Sequence, residues 1–188
     1  MFRSRIMMSR HGFGRGEYQY FRYAPPDLIE QLRRAVYPYL VPIANRWNTA
    51  IGIEVSYPAT HAEFLTRCHQ AGQDKPIPLI LIYEADDYNY LHQDLYGQHV
   101  FPLQLAILLS DPQADFTGGE FVMTEQRPRM QSRPIVVLLR QGDGVLFAVH
   151  HRPVLGGRGW YRVSLRYGVS RVRSGQRYTD GIIFHDAR

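Results

Sequence analysis

Two side chains able to hold a metal ion stand two residues apart, His92 and Asp94 in the run Leu91-His92-Gln93-Asp94. In an extended strand, residues i and i+2 leave the same face, so an imidazole nitrogen and a carboxylate oxygen converge on one point. Alone the pair says little, because a His-x-Asp arises readily by chance in a chain with 8 histidines. An exposed turn histidine is the plain alternative.

A third donor and a cation follow downstream. The run GDGVLFAVHHRPV, from Gly142 to Val154, reads as a turn, a buried strand and then His150-His151, and a later strand carries Arg162. Adjacent strand residues face opposite ways, so only one of the two histidines can join His92 and Asp94; His151 is preferred. Two neutral imidazoles and one carboxylate on one face of a metal leave three positions open, the ligand set of a mononuclear iron(II) oxygenase. A 2-oxo acid chelates through two of these and dioxygen takes the third. The far carboxylate of the acid then needs a fixed cation, and arginine binds it bidentately. Arg162 is the candidate.

The elements that must position these residues come in two blocks. Pro26, Asp27 and Glu30 read as a capped helix start, with Leu28, Leu32, Val36, Leu40, Ile43 and Trp47 at helical spacing. Pro38 and Pro42 should kink or split that helix. Thr60 and Glu63 form a second capping-box pair, followed by Phe64, Leu65 and Cys68 on one face and Gly72 as the stop. After Lys75 come the short branched and aromatic runs IPLILIY, VFPLQLAILL, PIVVLLR, GVLFAV and WYRVSLRYGV, punctuated by glycine and proline. That pattern predicts about eight strands in a sandwich or jelly roll, with the helices packed on one sheet. The expected fold is α+β, mainly β, in a single domain over 1–188, with helical support at about 25–72 and a β core at about 76–186.

Composition excludes several classes. A single cysteine, Cys68, permits neither a disulfide framework nor a thiolate metal site and fits a reducing, cytoplasmic setting. The basic first residues lack the apolar run of a signal peptide, and no stretch is apolar for long enough to suggest a membrane span, so a soluble protein is expected. The net charge is +5 and Lys75 is the only lysine. Eleven arginines against Glu125, Asp143 and Asp180 lie between Phe121 and Asp180. Such a half suits an anionic partner or is simply a solvated face.

From about Tyr83 to Arg166 the chain resembles the prolyl 4-hydroxylase branch of the iron(II)/2-oxoglutarate dioxygenase superfamily, and the AlkB-type branch. The shared pattern is Tyr83, then His92 with Asp94, Gly118-Gly119-Glu120, Gly142-Asp143, His151, Pro153-Val154 and Arg162. More narrowly, HQDLYG, TGGEF, TEQRPRMQSR and RVRSGQRYTDGIIFHDA resemble a bacterial oxygenase family usually described as oxidatively demethylating damaged nucleic acid. The resemblance implies a double-stranded β-helix (jelly roll). It also implies Fe(2+) on His92, Asp94 and His151, and 2-oxoglutarate held by Arg162 and Tyr83. Dioxygen would be the cosubstrate, and an alkylated base or a peptide the substrate.

The sequence departs from that pattern in three places. Asp86 stands where the family has a glycine, Val149 stands at the usual spacing of the distal histidine, and Gly168 replaces a second arginine, with Arg166 as the displaced candidate. The tract Thr124 to Arg133 reads as a substrate-contacting loop or a solvated one, and His185-Asp186 as a terminal strand cap. A metal-free jelly-roll binding module with structural histidines is the rival function.

Overall fold

A computed structural model describes residues 1–188. The chain opens with strands β1 (Phe2–Met7), β2 (Gly14–Arg15) and β3 (Glu17–Phe21), within and just after the basic first residues, for which the sequence pattern predicts no element. Two helices follow, α1 (Asp27–Ala50) and α2 (His61–Gln70). The next strands are β4 (Lys75–Pro76), β5 (Leu79–Tyr83), β6 (Tyr88–His92), β7 (Leu103–Leu108), β8 (Phe116–Gly118) and β9 (Phe121–Gln126). Then come β10 (Arg133–Val137), β11 (Gly144–Ala148), β12 (His151–Gly156) and β13 (Gly159–Val169). The chain ends with β14 (Val172–Gly175), β15 (Arg177–Ile182) and β16 (Asp186–Ala187).

The strands form two large antiparallel sheets. One has the order β1-β3-β5-β15-β7-β11 and the other β10-β9-β13-β6-β2, with β12 also paired to β13. From β5 onward the chain crosses repeatedly from one sheet to the other, in the order β5, β6, β7, β9-β10, β11, β12-β13 and β15. Each sheet is an open path with two edges. The fold is mixed α+β and mainly β, with both helices on the outer face of the first sheet. There Tyr37, Leu40, Val41 and Ala44 of α1 and Phe64 and Cys68 of α2 pack on Leu103, Leu105 and Ile182. Between the sheets, Ala106 meets Phe121, Phe147 and Tyr167.

The helices correct the sequence reading in detail. α1 runs unbroken through Pro38 and Pro42. Both prolines are exposed, as are Arg34 and Pro38, four residues before each, so the carbonyls that lose an amide partner face water. Its N-terminus has no side-chain cap. Its buried face follows Ile29, Arg33, Tyr37, Leu40 and Ala44, one position round from the expected stripe, and Leu28 is exposed. Arg33 explains the rotation, since its guanidinium is buried against Asp186 at 2.9 Å. The Thr60–Glu63 capping box of α2 forms as expected.

His185 and Asp186 do more than cap a terminal strand. Both are fully buried; Asp186 takes Arg33 from α1, His69 from α2 at 2.9 Å, and Tyr23. These partners hold its carboxyl below the ordinary carboxylate range against the opposing effect of burial. The cluster ties both helices to the last strand.

Candidate functional site

β6 ends at His92, and the chain turns at once into Asp94. The His92 Nδ1–H donates to the Tyr90 carbonyl at 2.7 Å, which leaves Nε2 with a free lone pair, 3.6 Å from Asp94 Oδ1. These two donors point into the space between the sheets and line a cavity there together with Tyr18, Asn89, Gln104 and Arg177.

Arg177 opens β15 and is 1% exposed. It has no carboxylate partner; its Nη1 donates to Thr179 Oγ1 and its Nε has no partner at all. The guanidinium lies 5.6 Å from the Tyr83 ring centre and 5.9 Å from that of Phe116. Burial lowers its pKa from the ordinary guanidinium value, and an arginine remains charged in that state. The Gly118-Gly119 turn makes the seat: a Cβ on Gly119, at φ +62°, would meet the Arg177 Cδ at 3.0 Å. The sequence reading had passed over Arg177.

Three buried polar atoms with no hydrogen-bond partner belong to residues lining this one cavity: Arg177 Nε, Gln104 Nε2 and Asn89 Oδ1. An unpaired buried polar group costs on the order of 1–3 kcal/mol, and several around one cavity mark a place built for a polar ligand. Asn89 Nδ2 donates to the hydroxyls of Tyr18 at 2.8 Å and Tyr83 at 3.3 Å. Both phenols are pushed above their ordinary pKa, by burial first, so they stand as neutral donors. Tyr83 is fully buried behind Arg177 and reaches the cavity only through Asn89 and that guanidinium.

His151 and Arg162 do not join His92 and Asp94, and no three His, Cys, Asp or Glu side chains group as metal ligands. The reason is strand parity. In an antiparallel pair, residues directly opposite share a face. His92 lies opposite Tyr167 on β13, whereas His151 lies opposite Ser164 and Arg162 opposite Pro153. Val163, Leu165 and Tyr167 are buried inward; Arg162 and Arg166 are exposed on the other face. His151 therefore stands three residues away along β13, about 10 Å, and on the opposite side of the sheet. His150 accompanies it, with their Nδ1 atoms 2.9 Å apart. A polar concavity on that outer face brings together His150, His151, Arg127, Arg129 and Arg162. Burial first, then the neighbouring His150 and Arg162, lowers the His151 pKa to about 4.

A sequence signal for this parity existed. The LGGRG turn makes β12 and β13 a hairpin with Gly156 opposite Gly159, and counting back from that turn puts His151 opposite Ser164. The inner-face neighbour of His92 is Tyr167. Its hydroxyl accepts the Asp94 N–H at 3.2 Å and donates to Gln104 Oε1 at 3.3 Å, and its ring lies 4.7 Å from that of His92.

The other departures are now physical. Asp86 keeps φ at +70°, a left-handed turn that Asp tolerates among non-glycine residues, so the loop retains the conformation a glycine would give. Gly168 cannot be an arginine position, because a Cβ there would lie 2.5 Å from the Asn89 carbonyl oxygen. Arg166 faces outward and does not replace it.

A family model described as "Oxygenase, catalysing oxidative methylation of damaged DNA" matches residues 16–187. The chain belongs to this Oxygenase-NA family. Two uncharacterized proteins of Mycobacterium tuberculosis, MT2286 of strain CDC 1551 / Oshkosh and Rv2227 of strain ATCC 25618 / H37Rv, are each 51% identical over 160 residues, covering 85% of this chain and 69% of theirs. Among solved structures, a Pseudomonas putida prolyl-4-hydroxylase aligns at 12% identity and TM-score 0.48 over 96% of this chain and 76% of its own. A 2OG-Fe(II) oxygenase family oxidoreductase of Burkholderia pseudomallei aligns at 19% identity and TM-score 0.41, over 60% of this chain and 44% of its own. No helix is long and apolar enough to cross a membrane.

Proposed function

We propose that this Oxygenase-NA chain binds 2-oxoglutarate, or a dicarboxylate of its length, in the cavity between its two sheets. The interleaved strand order supports reading the β core as a double-stranded β-helix, and the helical support and β core as one domain around that cavity. The carrying observation is the convergence of Arg177, Gln104 and Asn89, each with an unpartnered buried atom, on the space that His92 and Asp94 also line. Arg177 and the Thr179 hydroxyl take the far carboxylate, a charge-assisted pairing strengthened by its dry surroundings. Tyr18 and Gln104 flank the chain of the acid, and the His92–Asp94 pair faces its 2-oxo end.

In the iron(II)/2-oxoglutarate dioxygenase superfamily that the sequence resembles, iron(II) supplies the oxidising chemistry, using 2-oxoglutarate and dioxygen. The expected ligand set is not completed in this cavity: His92 and Asp94 offer two donors and no second imidazole lines it. Oxidation is accordingly assigned no step here.

Nucleic acid is the partner that the family description suggests. The outer concavity of Arg127, Arg129, Arg162, His150 and His151 supports an anionic partner, because Arg129 and Arg162 have no acidic neighbour in ion-pair contact. Arginine contacts of this kind bind phosphate.

Calorimetric titration with 2-oxoglutarate tests the reading. Removing a hydrogen bond to a charged group costs roughly 1.5–3 kcal/mol, so Arg177→Met should weaken binding about 10–100-fold. Arg162→Met should bind as wild type, with circular dichroism confirming that both variants fold. Loss in the Arg162 variant with retention in the Arg177 variant would overturn the assignment.

A further inference from the structure

We propose that Tyr167 occupies the seat of the third metal-ligating side chain, so that this chain holds its dicarboxylate in a cavity that retains no iron(II) of its own, and that the one substitution Tyr167→His supplies the missing donor. The inference rests on the dicarboxylate reading above and deepens it: the same site becomes a metal-independent binder of a 2-oxo dicarboxylate rather than a complete oxygenase centre.

Geometry fixes the seat. A protein site that closes one face of a metal around His92 and Asp94 needs its third donor on the inner face of the strand beside β6. That strand is β13, and the residue opposite His92 is Tyr167. Directly opposite residues have Cβ atoms roughly 4.5–5.5 Å apart, a separation at which two imidazoles can share one ion. The neighbouring inner-face residues, Leu165 and Val169, carry no donor atoms. Gly168 cannot contribute, since the β6 backbone fills the place of a side chain there.

No other imidazole can substitute. His150 and His151 lie on the outer face, and His61, His69 and His185 are committed to the helices and the buried Asp186 cluster. His11 stacks on Phe13, and His99 lines a separate hollow with His150 and His151. Of the 8 histidines, only His92 lines the cavity.

Tyr167 is also not arranged as a free donor. Its oxygen accepts the Asp94 N–H and gives its proton to Gln104. Both bonds serve the cavity wall: one fixes the backbone that presents the Asp94 carboxylate, and the other bridges the two sheets from β13 to β7. A neutral phenol thus closes the cavity with hydrogen bonds where an imidazole would close it through a metal. Arg177, Thr179 and Asn89 of the anion-binding half make no hydrogen bond to Tyr167 and are independent of that exchange, which removes only the bond that Gln104 Oε1 accepts. Two donors and a carboxylate pocket suffice for binding; they give a metal only two protein ligands, which is weak retention for a first-row divalent ion.

The test separates metal from dicarboxylate. Purified full-length wild type, Tyr167→His, Tyr167→Phe and His92→Ala would each be titrated with Mn(II), read by electron paramagnetic resonance. Each would also be titrated with 2-oxoglutarate calorimetrically, with and without a chelator. Wild type should bind 2-oxoglutarate equally well with the chelator present and should bind Mn(II) weakly. Tyr167→His should bind Mn(II) at least tenfold more tightly and, with anaerobic iron(II) and 2-oxoglutarate, develop a visible charge-transfer band that wild type lacks. Tyr167→Phe keeps the ring and removes the oxygen, and it should bind Mn(II) no more weakly than wild type.

Three outcomes overturn the proposal: tight stoichiometric Mn(II) on wild type, Mn(II) affinity lost in Tyr167→Phe, or 2-oxoglutarate binding abolished by the chelator. If Tyr167→His fails to fold, the Phe variant and the chelator experiment still decide. Absence of 2-oxoglutarate binding in every protein, with metal or without, instead removes the dicarboxylate reading.

Discussion

The two faces of β13 differ in everything but their sequence neighbourhood. Val163, Leu165 and Tyr167 point between the sheets, are nearly inaccessible and end on the His92–Asp94 cavity. Arg162, Ser164 and Arg166 point the other way, and Arg162 and Ser164 border a basic concavity with His150 and His151. One strand therefore separates two environments, an enclosed cavity with buried polar groups and an open basic surface. A side chain moved by one position changes not its neighbours in sequence but the compartment it serves.

The largest break in that contrast is Val163→Asp. Placing an unpaired carboxylate in the inner face should cost several kcal/mol, about 3–5 by analogy with an uncompensated buried charge. Arg166→Asp, on the outer face, should stay within about 0.5 kcal/mol. Equal urea midpoints for the two variants would mean that the faces are not distinct. Next in size is the 2-oxoglutarate comparison of Arg177→Met with Arg162→Met described above.

A smaller effect comes from protons on the outer face. The folded pKa of His151 lies near 4, below the ordinary histidine value near 6.5. Between these values the unfolded chain binds more protons, so this group's contribution to stability is present above about pH 6.5 and is lost as pH falls towards 4. Thermal melts of His151→Asn should show a flatter pH dependence across that window than wild type; an unchanged slope would place His151 in water. Smallest is the partner surface: Arg129→Ala and Arg162→Ala should each weaken single-stranded DNA binding a few-fold and lower the salt slope by about one. Neither should change 2-oxoglutarate affinity, and a joint loss would merge the two compartments.

Glu125 shows how far arginine excess shapes this region. Its buried carboxylate accepts from Arg127 at 3.0 Å and from Arg133 at 3.4 Å, and it also pairs with Arg152. Those three guanidinium groups hold it ionised against its burial. The Thr124 to Arg133 tract is thus partly tied down, with Arg129 left as its free cation.

Much of the fold was legible because it depends on short-range rules. The capping box at Thr60 and Glu63, the strand runs after Lys75 and the His92–Asp94 pair all follow from local spacing. The N-terminal strands were not, because β3 is held by pairing with β5, about sixty residues away, and β1 by pairing with β3, and not by a strong apolar pattern of their own. Leu28 was misplaced for a related reason: the buried Arg33–Asp186 pair, 153 residues apart, sets the helix face.

The sequence by itself determined the class of chemistry: a His-x-Asp pair at a strand end, a glycine turn, and an arginine-rich β half. Tertiary structure decided which residues share that chemistry. It put Arg177, and not Arg162, on the cavity that His92 and Asp94 line, and set Tyr167, not His151, opposite His92. The physical reason is that side-chain direction alternates along a strand, so membership of a site depends on the register between strands. That register is fixed by the β12–β13 hairpin, which the LGGRG turn signals locally, and by the pairing of β6 with β13, which no local spacing shows.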